Sequence, residues 1–255
     1  MRKPLIAGNW KMNGSTDAVA QLIGGIKQGM DECVEIDVLV LPSFVHLLQV
    51  KELIEDTRIQ LGAQNLYIGK NGAFTGEVSG SMLADIGCRY VLVGHSERRS
   101  IFNDDLPIVA QKFKAAIDAG LQPILCVGET QAEREKGVTE QVLRQQIESV
   151  IAVNGIDSFQ NTVIAYEPVW AIGTGLTATS EQAQAAHHFI RELIRQNKVD
   201  IGGAIRILYG GSMKPENAGS LLAMPDIDGG LIGGAALEAG SFLKICEASR
   251  FECTK

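Results

Sequence analysis

Short apolar runs punctuate the chain at regular intervals, at residues 5–7, 38–41, 59–61, 90–93, 123–127, 163–166, 205–209 and 231–232. Most of these eight candidate strands are continuous rather than alternating. A strand covered on both faces reads that way because neither face has to meet water, and such strands belong to parallel sheets. Between the runs the period changes. Val109, Phe113, Ala116 and Ile117 recur at helical spacing ahead of Gly120, and Leu143, Ile147, Val150 and Ile151 repeat the pattern. Ala183, Ala186, Ile190, Leu193 and Ile194 follow a Thr179-x-x-Gln182 capping box. Strand, helix, strand at roughly 30 residues per unit, taken eight times, needs about 240 residues. The 255 available are then used up. The pattern predicts an α/β fold: a single closed (β/α)8 barrel of parallel strands, one domain over residues 1–255. A doubly wound open sheet is the alternative, since local pattern does not show whether the first and last strands pair.

One stretch breaks the rhythm. Residues 64–80, with Gly69-Lys70-Asn71-Gly72 inside, form a long connection after the third run. Loops of that length are usually functional or disordered, so the readings are a loose excursion or an arm used for association. A composition 45% hydrophobic and 21% charged is that of a globular chain. Lys and Arg number 23 against 30 Asp and Glu, a net charge of −7. No basic surplus is available to displace counterions from phosphates, which argues against nucleic acid as a partner. Cys33, Cys88, Cys126, Cys246 and Cys253 are odd in number and form no C-x-x-C pair, so neither a disulfide framework nor a zinc ribbon is expected. The apolar run after Met1-Arg2-Lys3-Pro4 breaks at Gly8-Asn9-Trp10, too short for a signal-peptide core, and no later run approaches bilayer length. The expectation is a cytoplasmic protein with no membrane partner.

In a parallel barrel the chemistry lies at the carboxyl ends of the strands. The residues there are Asn9 and Lys11 after the first run, His95, Ser96 and Glu97 after the fourth, Glu129 after the fifth and Glu167 after the sixth. Gly210-Gly211-Ser212 and Gly233-Gly234 follow the last two, and glycines at such points let backbone N–H groups approach an anion. The same glycines could be tight turns that merely close the barrel. Gly24, Gly25, Gly202 and Gly203 read as ordinary loop or helix-end positions. A carboxylate at a strand's end can act as a general base, but Glu97, Glu129 and Glu167 all qualify, and each could instead be an ion-paired structural group. His46 and the tandem His187-His188 lack such a setting; adjacent helix positions diverge, and no metal is expected. Gly173-Thr174-Gly175-Leu176-Thr177-Ala178 fits G-x-G-x-x-A, but it does not follow its strand directly, so a lid is the better reading than a dinucleotide turn.

Six strings resemble, in order and along the whole chain, those of the triosephosphate isomerase family. They are Ala7-Gly8-Asn9-Trp10-Lys11-Met12-Asn13, Val93-Gly94-His95-Ser96-Glu97-Arg98-Arg99, Cys126-Val127-Gly128-Glu129-Thr130, Ala165-Tyr166-Glu167-Pro168-Val169-Trp170-Ala171-Ile172-Gly173-Thr174-Gly175, Tyr209-Gly210-Gly211-Ser212 and Gly229-Gly230-Leu231-Ile232-Gly233-Gly234. The resemblance implies a TIM barrel that interconverts dihydroxyacetone phosphate and D-glyceraldehyde 3-phosphate through an enediolate, in glycolysis and gluconeogenesis, without a cofactor. It implies Glu167 as base, His95 as electrophile, and Lys11 and Asn9 at the substrate. Backbone N–H groups of Gly173, Ser212, Gly233 and Gly234 would hold the phosphate, with Ser96, Glu97 and Glu129 behind the reacting groups. Pro168 to Ala178, including Leu176 and Thr177, would form the lid. The 64–80 loop would insert into a second copy, making a homodimer with Gln64, Asn65, Thr75 and Glu77 as contact candidates. Another phosphate-binding barrel isomerase, or a catalytically silent scaffold barrel, stands as the alternative. Leu176, Ala236 and Pro42-Ser43 depart from the family's frequent residues.

Overall fold

The computed structural model describes residues 2–171 and 177–249. Its eight strands, β1 (Leu5–Asn9), β2 (Asp37–Leu41), β3 (Gln60–Ala63), β4 (Tyr90–Val93), β5 (Gln122–Val127), β6 (Val163–Tyr166), β7 (Arg206–Tyr209) and β8 (Gly229–Ile232), pair in chain order and close on themselves. Every pairing is parallel, and Leu5 against Gly229 through Gly8 against Ile232 joins the last strand to the first. The open-sheet alternative is thereby excluded. Closure is tight at Gly229, which holds φ +139°; a Cβ there would lie 2.0 Å from the Leu5 carbonyl oxygen.

The continuous apolar runs have a direct structural reason. Alternate positions such as Leu5, Ala7, Leu39, Leu41, Leu92 and Ile124 fill the barrel interior. The positions between them, Ile6, Val38, Val40, Val91 and Leu125 among others, meet the helical layer outside. That layer comprises α1 (Thr16–Gln28) after β1, α2 (Leu47–Ile54) after β2, α3 (Gly80–Ile86) after β3, and α4 (Ser96–Ile101) with α5 (Leu106–Asp118) after β4. Next come α6 (Gln131–Glu135) and α7 (Thr139–Asn154), then α8 (Ser180–Asn197) and α9 (Val199–Ala204), then α10 (Pro215–Leu222) and α11 (Ala239–Ala248). The Thr179–Gln182 capping box is formed in both directions at the start of α8.

One expectation about glycine changes. Gly24 and Gly25 lie inside α1 rather than in a loop or at a helix end, whereas Gly202 and Gly203 stand in the last turn of the six-residue α9, a helix-end position as expected. The cause differs within each pair. A Cβ at Gly25 would meet Ala239 at 2.7 Å and one at Gly202 would meet Arg195 at 2.3 Å, whereas Gly24 and Gly203 face open space. The 64–80 connection carries a bridge between Tyr67 and Ser79 and a contact between the Tyr67 and Phe74 rings at 4.7 Å. Phe74 and Ile68 on it are exposed.

Candidate active site

The residues that follow the strands converge. Asn9, Lys11, His95, Glu167, Ser212, Gly233 and Gly234 line one cavity of about 640 Å³ at the carboxyl end of the barrel. Its centre is an acid–base pair: His95 Nε2 lies 3.0 Å from Glu167 Oε1, and both residues are buried. The other Glu167 oxygen accepts the Ser96 backbone N–H at 2.8 Å. Glu167 reaches this place because glycines clear it. A Cβ at Gly128 would lie 1.7 Å from the Glu167 carbonyl oxygen, and one at Gly210 would lie 2.9 Å from its Cγ.

His95 caps α4 with its own ring, Nδ1 accepting the Glu97 backbone N–H at 3.2 Å. The single proton of a neutral ring therefore belongs on Nε2, facing the cavity. Asn9 aims a second donor at the same place. Its Oδ1 is engaged by the Lys11 backbone N–H at 3.0 Å, which turns Nδ2 to within 3.3 Å of His95 Nε2. Lys11 adopts φ +52°, a strained conformation for a side-chain-bearing residue, and Gln64 Nε2 holds its carbonyl at 2.8 Å. The Lys11 ammonium pairs with Glu97, and its Cε lies 3.4 Å from where a Cβ at Gly233 would stand.

Burial disfavours charge on both members of the central pair, and each overcomes it through the other. Burial pulls the His95 imidazole down, but the Glu167 carboxylate against it outweighs that and raises it. Burial pushes the Glu167 carboxyl up, yet His95, the Ser96 N–H and Lys11 together hold it below the ordinary carboxylate range.

Of the three carboxylates at strand ends, the structure brings only Glu167 into this cavity. Glu97 touches Lys11 from the side. Glu129 is fully buried elsewhere, its Oε1 accepting from Tyr166 Oη at 3.1 Å, Trp170 Nε1 at 2.9 Å and Arg134 Nη1 at 3.2 Å. The Val169 N–H donates to the Glu129 carbonyl at 3.1 Å, so Glu129 grips the segment that leaves Glu167. Pro168 to Ala171 and Thr177 to Ala178 are described; Ile172, Gly173, Thr174, Gly175 and Leu176 lie outside the described residues, as does Cys253. Gly211 and Ser212 turn away from β7, with Asn217 Nδ2 donating to the Ser212 carbonyl at 3.0 Å. Sequence reasoning missed the clearance at Gly128, the Gln64 contact with Lys11 and the cluster around Glu129. Only Gly128 carried a signal, a glycine directly after an apolar run.

His187 and His188 diverge as adjacent helix positions should. His187 is buried with its ring edge-on to Tyr166, while His188 is exposed beside Asp226. Among the described residues no group of three or more His, Cys, Asp or Glu could hold a metal ion, and no helix is long and apolar enough to cross a membrane.

A closed parallel barrel with a buried carboxylate–imidazole pair beside a lysine is a (β/α)8 barrel that carries acid–base groups at the carboxyl ends of its strands, where such folds place their chemistry. The family model described as "Triosephosphate isomerase" matches residues 4–249. The chain is similar to the triosephosphate isomerases of Thiobacillus denitrificans (52% identical, covering 98% of this chain and 99% of that protein) and of Nitrosococcus oceani (50%, covering 98% and 100%). It is also similar to that of Methylococcus capsulatus (49%, covering 97% and 99%). The chain belongs to the triosephosphate isomerase family.

Proposed function

We propose that this chain, as a single-domain barrel, interconverts dihydroxyacetone phosphate and D-glyceraldehyde 3-phosphate, with Glu167 as the base and His95 as the electrophile. The observation that carries the reading is the convergence of Glu167, His95 Nε2, Asn9 Nδ2 and Lys11 on one cavity. Isomerisation removes a proton from a carbon next to a carbonyl and leaves negative charge on oxygen. A buried carboxylate supplies the base. The Asn9 and His95 donors, 3.3 Å apart, mark where the developing oxyanion sits, and the Lys11 charge stabilises it. Substrate entering between Glu167 and His95 separates the pair, and burial then keeps the ring neutral, able to donate from Nε2 and take the proton back.

Ser212, Gly233 and Gly234 line the cavity, and their backbone N–H groups hold the phosphate in this reading, with Gly173, outside the described residues, as a fourth contributor. Binding the phosphate there positions the reacting carbons. Pro168 to Ala178 closes over the site, and Glu129 anchors its leading end through Trp170 and Val169. Ser96 orients Glu167 and Glu97 orients Lys11. An acidic chain can hold this anion because the local field, not the net charge, governs the site.

A dehydrogenase-coupled assay with glyceraldehyde 3-phosphate tests the reading. Turnover near the family's range supports it, and no turnover by folded protein removes it. The chain works as a cytoplasmic homodimer in which the 64–80 arm, with Gln64, Asn65, Thr75 and Glu77, meets a second copy. The exposed Phe44, Val45, Ile68 and Phe74 give that contact apolar area. Sedimentation at low concentration checks it, and a stable active monomer is the contrary result.

A further inference from the structure

Arg99 has no part in the reaction outlined above, and its surroundings are unusual. It lies on α4, three residues beyond the Ser96 whose N–H meets Glu167. The ladder between β4 and β5 ends with Val93 against Leu125. The next pair would be Gly94 and Cys126, but Gly94 turns the chain away at φ +73° so that His95 points into the cavity. Where the ladder stops, the Arg99 guanidinium takes over. Its Nε donates to the Gly94 carbonyl at 2.7 Å and its Nη2 to the Cys126 carbonyl at 3.1 Å. The Arg99 backbone N–H adds a hydrogen bond to the His95 carbonyl at 3.0 Å. That backbone bond is the first of α4 and is common to any residue there; the hold specific to Arg99 is its side chain on the carbonyls of Gly94 and Cys126. The fit is close, since a Cβ on Gly94 would lie 2.8 Å from Arg99 Nη2.

The charge of Arg99 is also unspent. Among the described residues no carboxylate lies within ion-pair distance of it. Its guanidinium faces a second cavity of about 270 Å³, lined with Ser96, Cys126, Gln146, Glu133, Glu167 and Val169. Glu167 is the wall between the two cavities, with Lys11 in one and Arg99 in the other. The charged and titratable groups facing Glu167 are therefore His95, Lys11, Arg99 and the Cys126 thiol, with Glu133 across the smaller cavity.

We infer that Arg99 is a positioning residue for the isomerisation: by clasping the Gly94 and Cys126 carbonyls it sets His95 and the Ser96 N–H against Glu167. A guanidinium does this because its planar fork spans two carbonyls at a fixed separation, which a lysine ammonium cannot match. The inference rests on the roles given above to Glu167 and His95.

The test compares wild type with R99Q, R99K and R99A, using kcat, KM and the pH profile of kcat/KM, with circular dichroism and thermal melting as the fold control. R99Q is expected to lose about 10- to 100-fold in kcat with KM within about threefold, as misplacing reacting groups does. The acidic limb of its kcat/KM profile moves to higher pH, because a positive charge and a well-placed donor near the base are lost. R99K restores the position of that limb but not kcat. Guanidinium chloride at low millimolar concentration raises the kcat of R99A, since the cavity beside the missing side chain admits the ion. If R99Q does not fold, R99K and the rescued R99A carry the same readouts. A kcat within twofold of wild type overturns the inference, as does a kcat loss with an unmoved acidic limb and no rescue, which assigns Arg99 to stability. A wild-type protein without isomerase activity would instead remove the functional reading beneath it.

Discussion

The amino end of the barrel and the reacting centre at its carboxyl end both bury charge, and they treat it differently. At the amino end, among the described residues, the half-buried Asp37 and the buried Arg191, Asp226 and Asp228 each meet opposite charge. Asp37 takes Lys3 and Arg206 at 2.7 Å each, and Arg206 also donates to Tyr90 Oη at 2.8 Å. Arg191 clasps Asp226 and Asp228 at 2.6 Å each, and the second oxygen of Asp228 takes Arg2 at 2.6 Å. At the reacting centre Glu167 rests on an imidazole and one backbone N–H, Arg99 has no carboxylate within ion-pair distance among the described residues, and Lys11, paired with the part-exposed Glu97, holds a strained φ. Saturated charges hold a structure still. Charges left with exchangeable partners can be offered to a substrate, and a barrel that separates the two tasks by its ends can alter one without the other.

The largest expected break in this comparison comes from the carboxyl end. Glu167→Gln keeps the shape but removes the base, and turnover is expected to fall about 10²- to 10⁴-fold, the usual worth of a general base. Binding of a phosphate-bearing inhibitor, assigned above to Ser212, Gly233 and Gly234 rather than to Glu167, should persist. Steady-state kinetics and calorimetric titration of one preparation read both. A variant that turns over within tenfold of wild type contradicts the assignment of the base.

Arg191→Met probes the other end. It takes the guanidinium from two buried aspartates, leaving Asp228 with Arg2 and Asp226 with Gln184 and His188, and frees the carbonyls of Gly202, Ile205 and Asp226 that Arg191 now holds. Breaking a buried pair by removing one partner costs about 3–5 kcal/mol. Urea unfolding should show that loss while kcat of the folded fraction stays within about threefold. A large kcat loss with little change in stability would erase the distinction between the ends.

The third effect sits between them. His187 on α8 packs against the Tyr166 and Tyr209 rings, with Asp228 and Arg191 as the nearest charges, and burial holds its imidazole down to about 4. The unfolded chain has the ordinary histidine value of about 6.5. As pH falls from there toward 4 the unfolded state gains a proton that the folded state refuses. Stability is therefore lost on acidification across that window, by up to about 3 kcal/mol from this residue. Urea midpoints of wild type and His187→Gln at pH 7 and pH 4.5 isolate the contribution. A shallower pH dependence in the variant is expected, and parallel curves would contradict it.

How much of this was legible in the sequence follows from the same division. All eight strands showed as apolar runs because a parallel barrel buries both faces of each strand, so even four residues leave a mark. Closure was not legible, since it depends on Gly229 and Gly230, which carry no hydrophobic signal, packing against Leu5 and Ile6. The candidate site was legible as a set of positions after strands. What the residues alone did not separate were Glu97, Glu129 and Glu167, each a carboxylate just past an apolar run. The choice lies in side-chain direction: Glu129 turns under Tyr166 and Trp170, while glycines at 128 and 210 let Glu167 lie against His95. Family resemblance singled out Glu167 as the base, and of the three carboxylates it is Glu167 that lines the cavity. The helix interior was less legible at Gly25, where the close approach of Ala239, not a helix end, explains the glycine.

The central claim is that the carboxylate at the mouth of the barrel moves a proton between substrate and solvent. The most direct measurement is isomerisation of glyceraldehyde 3-phosphate in D2O, followed by proton NMR of the dihydroxyacetone phosphate formed. A Glu167 carboxyl that exchanges with solvent before returning its proton places deuterium on the product carbon, and Glu167→Gln slows formation of labelled product about 10²- to 10⁴-fold. Product formed at the wild-type rate with the substrate's own hydrogen fully retained would contradict the account.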